Sequence, residues 1–300
     1  TGRASPGNTG NVESWNGSSW TETTNVNTTR RGAGGSGTST DGLIFGQTDP
    51  AYGTQTENWN GTTWTEVNDM STGRGEGTTR HTMSTASAAI MSGGRAPSRS
   101  TATEEFSFPS APGVIEGQMW VKTADGANSV MKGHGAQGTG AWSSGGNLNT
   151  ARNDLDGSGT QTAGLACGGN PATGATEEYN GSSWSESGDL NTARRALTAF
   201  GLQTATIAAF GGENPYNNEV EQYDGSSWTE IAEVNTAGGG SPGSCGTTTA
   251  GLVFGRRKTP VATKGGETEL WNGSSWAEQS DLNTARWTIG GLGTSTAALA

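Results

Sequence analysis

Two histidines, four tyrosines and two cysteines are the whole stock of imidazole, phenol and thiol in this 300-residue sequence. His81 and His134 stand in unlike surroundings at no spacing that builds a metal site, so both read as solvated loop residues. Cys167 and Cys245 form no CxxC pair and read as free, buried thiols. Arginine is the type with a pattern: Arg30, Arg74, Arg152, Arg194 and Arg286 each fall ten residues after a tryptophan, and Gly238 holds the sixth such place. A guanidinium matches a planar carboxylate through two parallel hydrogen bonds, so these arginines are candidates for gripping an acid. A residue demanded at every repeat is nevertheless better read as structural, pairing with neighbouring carbonyls or acids. The doublets Glu104-Glu105 and Glu177-Glu178 recur in strand-like context, where adjacent residues face opposite sides of a sheet. That geometry opposes a catalytic carboxylate pair and supplies partners for the arginines.

The elements that position these residues follow from the repeat. Tryptophan recurs at 20, 64, 142, 184, 228 and 276. Five of these follow another aromatic by five residues (Trp15, Trp59, Tyr179, Tyr223 and Trp271), with Asn-Gly or Asp-Gly between, which predicts two strands and a tight turn. The same turn accounts for the Asn-Gly-Ser/Thr sequons at Asn16, Asn60, Asn180 and Asn272 without a glycan. About fifteen residues past each arginine position a small apolar run ends in glycine, as in "GLIFGQ", "GLACGG" and "GLVFGR". Each unit therefore holds four short β-like runs. In the third unit Phe106 lies 36 residues before Trp142 instead of five, so 31 extra residues, within 107–140, enter that turn as an inserted hairpin with strands near Met119 to Lys122 and Ser129 to Lys132.

Units of this length with four strands describe propeller blades, since one such sheet cannot cover both faces until neighbours pack against it. The predicted fold is all-β: one six-bladed propeller over 1–300, whose last blade takes inner strands from the C-terminal end and outer strands from the N-terminal end. The run "LTAFGLQTATIAAFGGENPYNNEVEQYDGSSWTEIAEVNTA" resembles a kelch blade, with Gly211-Gly212, Tyr223 and Trp228 at the family's places, and the resemblance covers the chain outside the insertion. Gly46-Gln47, Gly255-Arg256 and Gly238 depart from it. The Thr/Ser/Asn/Gly-rich, lysine-poor style and the insertion are similar to structural proteins of tailed bacteriophages, particularly marine ones. That resemblance implies a module of a virion or other extracellular surface.

Copper of the galactose-oxidase kind needs two histidines and two tyrosines, one linked to a cysteine; here the two histidines stand in unlike contexts and two of the four tyrosines serve as repeat aromatics, so no cofactor or metal is expected. Sialidases share a turn with Gly three residues before Trp, but place Asp two residues before that Gly, where this sequence has Asn or Asp adjacent to it. A net charge of −11 and only four lysines disfavour nucleic acid, and no apolar run is long enough to insert in a membrane. Function is therefore expected where repetition breaks. The candidates are Met119 and Trp120 of the insertion, Tyr216 in a variable loop, the basic cluster Arg256, Arg257, Lys258 and Lys264, and a ring of the repeated arginines near the channel. The reading is a non-enzymatic structural or adhesive propeller that contacts other proteins of its assembly, or a host surface protein or polysaccharide. The rival is a secreted glycan-binding or glycan-processing propeller, which an acid pair with Arg and Tyr at one end of the channel would favour. A cellular kelch adaptor is a third reading, without an accompanying adaptor domain.

Overall fold

Each aromatic pair closes a hairpin. Trp15 faces Trp20, Trp59 faces Trp64, Tyr179 faces Trp184, Tyr223 faces Trp228 and Trp271 faces Trp276 across antiparallel strands, with ring centroids 4.9–5.4 Å apart. The turn between them is held by its first residue. Asn180 Oδ1 accepts the backbone N–H groups of Ser182 and Ser183 at 3.0 Å, and Gly181 adopts φ +90°. Asp224 fills the same role in its own hairpin.

The computed structural model describes residues 2–3, 7–78, 85–108, 119–122, 130–133, 140–212, 216–258 and 263–300. Its sheets form six blades, numbered here by their tryptophans. Blade 1 joins Leu292–Thr294 and Ala297–Leu299 to Val12–Trp15 and Trp20–Thr23. Blade 2 comprises Gly34–Thr38, Asp41–Gln47, Gly53–Trp59 and Trp64–Val67. Blade 3 shows Ala88–Ser92, Thr103–Ser107 and Ala141–Ser144; the place of its first strand falls at 79–84, outside the described residues. Blade 4 is Asp156–Thr160, Ala163–Cys167, Thr176–Tyr179 and Trp184–Glu186. Blade 5 is Thr198–Leu202, Ala205–Ala209, Val220–Tyr223 and Trp228–Glu230. Blade 6 is Gly243–Thr247, Ala250–Lys258, Thr263–Trp271 and Trp276–Gln279. The chain is thus a six-bladed β-propeller whose first blade is closed by both ends of the sequence, as the repeat register requires. Ala298 pairs with Trp15, and Glu13 and Ala300 exchange backbone hydrogen bonds of 2.9 and 3.2 Å.

In every blade the chain runs as a meander, so the connections from second to third strand and the linkers between blades share one face, called here the loop face. The hairpin turns share the other. The insertion of blade 3 leaves from that turn face, since Phe106 pairs with Trp142, and it carries an antiparallel hairpin of Met119–Lys122 and Val130–Gly133. Apolar clusters sit between blades rather than within them: Trp15 and Trp20 of blade 1 pack with Cys245, Leu252 and Phe254 of blade 6. The outer tryptophan of one blade also donates its indole N–H to a threonine of the blade before it, Trp228 to Thr176 at 3.0 Å and Trp142 to Thr56 at 3.0 Å.

One buried ion pair recurs in each blade. Arg30, Arg74, Arg152, Arg194 and Arg286 are 0–1% exposed and meet Glu57, Glu104, Glu177, Glu221 and Glu13 of the third strand. Each glutamate also accepts a backbone N–H from the preceding Asn-Thr or Ser-Thr turn, as Glu221 does from Asn191 at 2.7 Å. The unit therefore ties a linker to the blade it enters. Burial pulls the Arg30, Arg74, Arg194 and Arg286 pKa values down, against the upward pull of the paired glutamate. The expectation that these arginines ring the channel to grip a ligand is corrected: buried within the blades, they have no surface to offer.

Blade 6 makes the same pair with its parts exchanged. Gly238 occupies the arginine place, and Arg256, from the end of the second strand, fills the vacated space and meets Glu269 at 3.0 Å. A Cβ on Gly238 would lie 2.5 Å from Arg256 Cδ. Arg256 is 1% exposed and its guanidinium lies 5.4 Å from the Phe210 ring centroid, so its assignment to an exposed basic cluster is also corrected. Phe210 marks a third correction. Gly46 and Gly255, at register shifts within their second strands, and Gly93 and Gly168, just after theirs, take φ +59° to +67°, and the residue at this place in blade 5 is Phe210, φ +64°, not Gly211.

Candidate functional site

Immediately after each arginine place the linkers turn into the axis of the propeller. Gly32, Glu76, Asp154, Ala196, Ser241 and Thr288 all take a left-handed backbone there. Five of the blade junctions are laced by backbone hydrogen bonds: Glu76 N–H to Gly32 O, Asp154 to Glu76, Ala196 to Asp154, Ser241 to Ala196 and Thr288 to Gly240, all 2.9–3.1 Å. This lacing spends the backbone donors and leaves side chains to furnish the axial opening on the loop face.

That opening is a polar cavity of about 160 Å3 to which all six blades contribute. Its cations are Arg31, Arg195 and Arg257, its acids Glu76 and Asp154, and its aromatic walls Tyr216 and Trp287. Arg31 leans outward to Asp49, Nε to Oδ2 3.0 Å, and Arg195 lies 3.9 Å from Asp154. Asn153 donates to Glu76 at 3.3 Å and to Asp154 at 3.0 Å, holding the acids side by side. Arg257 has no carboxylate partner among the described residues. Its guanidinium lies 5.0 Å from the Trp287 ring centroid and 5.9 Å from that of Tyr216, and its Nε is buried without a hydrogen-bond partner.

Three consecutive glycines make room for this arrangement. A Cβ on Gly239 would lie 2.3 Å from Tyr216 Cδ1, and one on Gly240 would lie 2.9 Å from both Arg257 Cβ and Trp287 Cε3. With Gly238 yielding to Arg256, each residue of the run gives up its side-chain space to a neighbouring side chain, Gly240 to two. The run that breaks the repeat at the arginine place is the seat of the site.

Of the candidates read from the sequence, Tyr216 and Arg257 line the opening. Lys258 lies beside it and pairs with Glu267, while Lys264 sits opposite Arg257 on the same hairpin. Met119 and Trp120 lie on the insertion hairpin, their side chains outside the described residues, as are His81 and His134. Sequence reading missed Arg31, Glu76, Asp154, Arg195 and Trp287 because they stand one or two places after the repeated arginine and were absorbed into the repeat. The signal was present: the place after the arginine reads Arg, Gly, Asn, Arg, Gly, Trp through the blades, a varied position beside one that is arginine in five of six units. No candidate metal cluster of His, Cys, Asp and Glu occurs among the described residues.

Fold and opening together define a β-propeller with an axial ligand-sized recess on its loop face. The solved structure of YjhT is similar in fold: TM-score 0.63 at 11% identity, over 89% of this chain and 88% of that one. No family model matches the sequence, and no characterised protein matches it.

Proposed function

We propose that this chain is a non-enzymatic recognition module, a kelch-like structural or adhesive propeller carried on a virion or other extracellular appendage. It meets its partner through the loop face, while the turn face and its insertion point toward the assembly. The observation that carries this reading is the sorting of charge. Once the six buried pairs are set aside, the described Lys and Arg side chains all belong to the loop face: Arg31 and Arg195 in linkers, Arg95 and Arg99 in the blade 3 connection, and Arg257, Lys258 and Lys264 on the blade 6 hairpin. The rim is acidic, with Glu22, Glu66, Glu186, Glu230 and Glu278 exposed at one register of five outer strands. Three of these cations, Arg31, Arg195 and Lys258, pair with Asp49, Asp154 and Glu267 on the same face, so the loop face offers a partner mixed charge, the acidic edge repels an anionic one, and many displayed copies convert weak single contacts into firm attachment.

Electron cryo-microscopy of the native assembly tests this. The expected image is a fixed number of copies docked by the turn face or insertion, with the loop face free. Copies docked by the loop face, or a free monomer unattached to any particle, would overturn it.

One observation favours a second reading, a glycan-processing enzyme: Glu76 and Asp154 share the opening with arginines and Tyr216. Turnover of an acidic-sugar glycoside that Glu76→Gln and Asp154→Asn abolish would move the function to catalysis.

A further inference from the structure

We infer that the axial opening binds the carboxylate of an acidic sugar, with Arg257 as the gripping residue. This rests on the loop-face reading above and names the ligand of that face. Arg257 is the cation whose charge no acid among the described residues compensates. Trp287 and Tyr216 flank its guanidinium, which restricts it and leaves its N–H edges for a planar acceptor, the geometry a carboxylate fills with two parallel hydrogen bonds.

The rest of the lining selects among anions. Glu76 and Asp154 lie in the same recess and repel a dianion such as a phosphate monoester twice as strongly as a single carboxylate, while Arg257 offers either ligand the same two parallel hydrogen bonds. The two acids are acceptors only, and they call for a ligand rich in hydroxyl donors. Ser241 and Thr288 add hydroxyls to the wall. A carboxylate on a polyhydroxylated ring meets all of these demands, and about 160 Å3 admits one such residue at a chain end. The glycine run shows the recess to be built, since a side chain at Gly239 or Gly240 would displace Tyr216, Arg257 or Trp287.

The test is titration calorimetry of the whole chain with glucuronate, its methyl ester, glucose and glucose 6-phosphate. Glucuronate is expected to bind about ten- to a hundredfold more tightly than its ester, the range of one charge-assisted pair, and more tightly than the phosphate. Arg257→Gln is expected to lose the same factor with an unchanged thermal midpoint, and Arg257→Lys to recover only part of it. Equal binding of acid and ester, no binding of either, or full affinity in a folded Arg257→Gln would overturn the assignment. The acid-to-ester ratio is measured on the unmodified chain and decides the matter even where a variant fails to fold. The two readings fail separately: a loop face buried against the particle ends the recognition reading whatever glucuronate does. A free loop face without carboxylate discrimination ends only the choice of ligand.

Discussion

At the scale of single residues, the doublet acids separate into two jobs. Glu104 and Glu177 serve their own blade's arginine. Glu105 accepts the hydroxyl of Tyr179 in the next blade, and Glu178 that of Tyr223 at 2.7 Å. Where the next blade carries Trp or Phe instead of Tyr, the second acid is replaced by Ser14, Asn58, Gln222 or Leu270. Burial, with these carboxylates adding to it, raises Tyr179 and Tyr223 to about 12. A phenol raised above its unfolded value of about 10 gives stability that is whole below pH ~10 and lost as pH climbs through about 12. Ultraviolet titration of the phenolates should therefore show Tyr223 ionising late, and Glu178→Gln should move it to lower pH; an unmoved titration would break the pairing. Asp224 is the opposite case. Hydrogen bonds from Ser227 and Ser226 lower it to about 2, so its contribution is present above the unfolded value of ~3.9 and disappears as pH falls through about 2. Carboxyl NMR should find that midpoint well under 3.

At the scale of the blade, the arginine–glutamate pair behaves as a part that can be relocated. Blade 6 keeps the pair although its arginine place is vacated, because Arg256 reaches the in-register Glu269 through the space that Gly238 leaves. Arg256→Gly leaves Glu269 buried without its cation and should cost about 3–5 kcal/mol. Gly238→Arg alone forces two guanidinium stems into one site and should also destabilise. The double variant restores the arrangement of the other blades, and denaturant unfolding should find it more stable than either single variant, a coupling that independent sites would not show. Phe210 makes a related prediction. As a non-glycine residue at φ +64° it carries backbone strain of roughly 1–2 kcal/mol, yet its ring braces Arg256. Phe210→Gly should therefore give a net loss of stability despite relieving the backbone, with part of that loss absent when Arg256 is already replaced.

At the scale of the whole molecule, closure joins the ends of the sequence in one sheet. Removing 297–300 takes away the strand that pairs with Ser14 and Trp15 and the Ala300 carbonyl that Arg286 donates to at 3.3 Å. Its thermal midpoint should fall further than that of any single ion-pair variant, because it opens an edge in the ring as well as removing one acceptor from a buried arginine. Blade number, the strand order of blade 1 and the place of the insertion were all legible in the sequence. They follow from spacing, and a turn residue or a strand-facing aromatic acts on neighbours a few positions away. The axial opening was legible only at Tyr216 and Arg257. Its other members come from blades separated by dozens of residues, and nothing local distinguishes a side chain that faces the axis from one that faces a neighbouring sheet. The same limit hid the fate of the arginines. Sequence determined that one recurs in each unit, and that recurrence speaks for structure. Only the packing of third strand against linker decided that each is buried on a glutamate, and that Arg256, read as surface charge, stands in for the one that is missing.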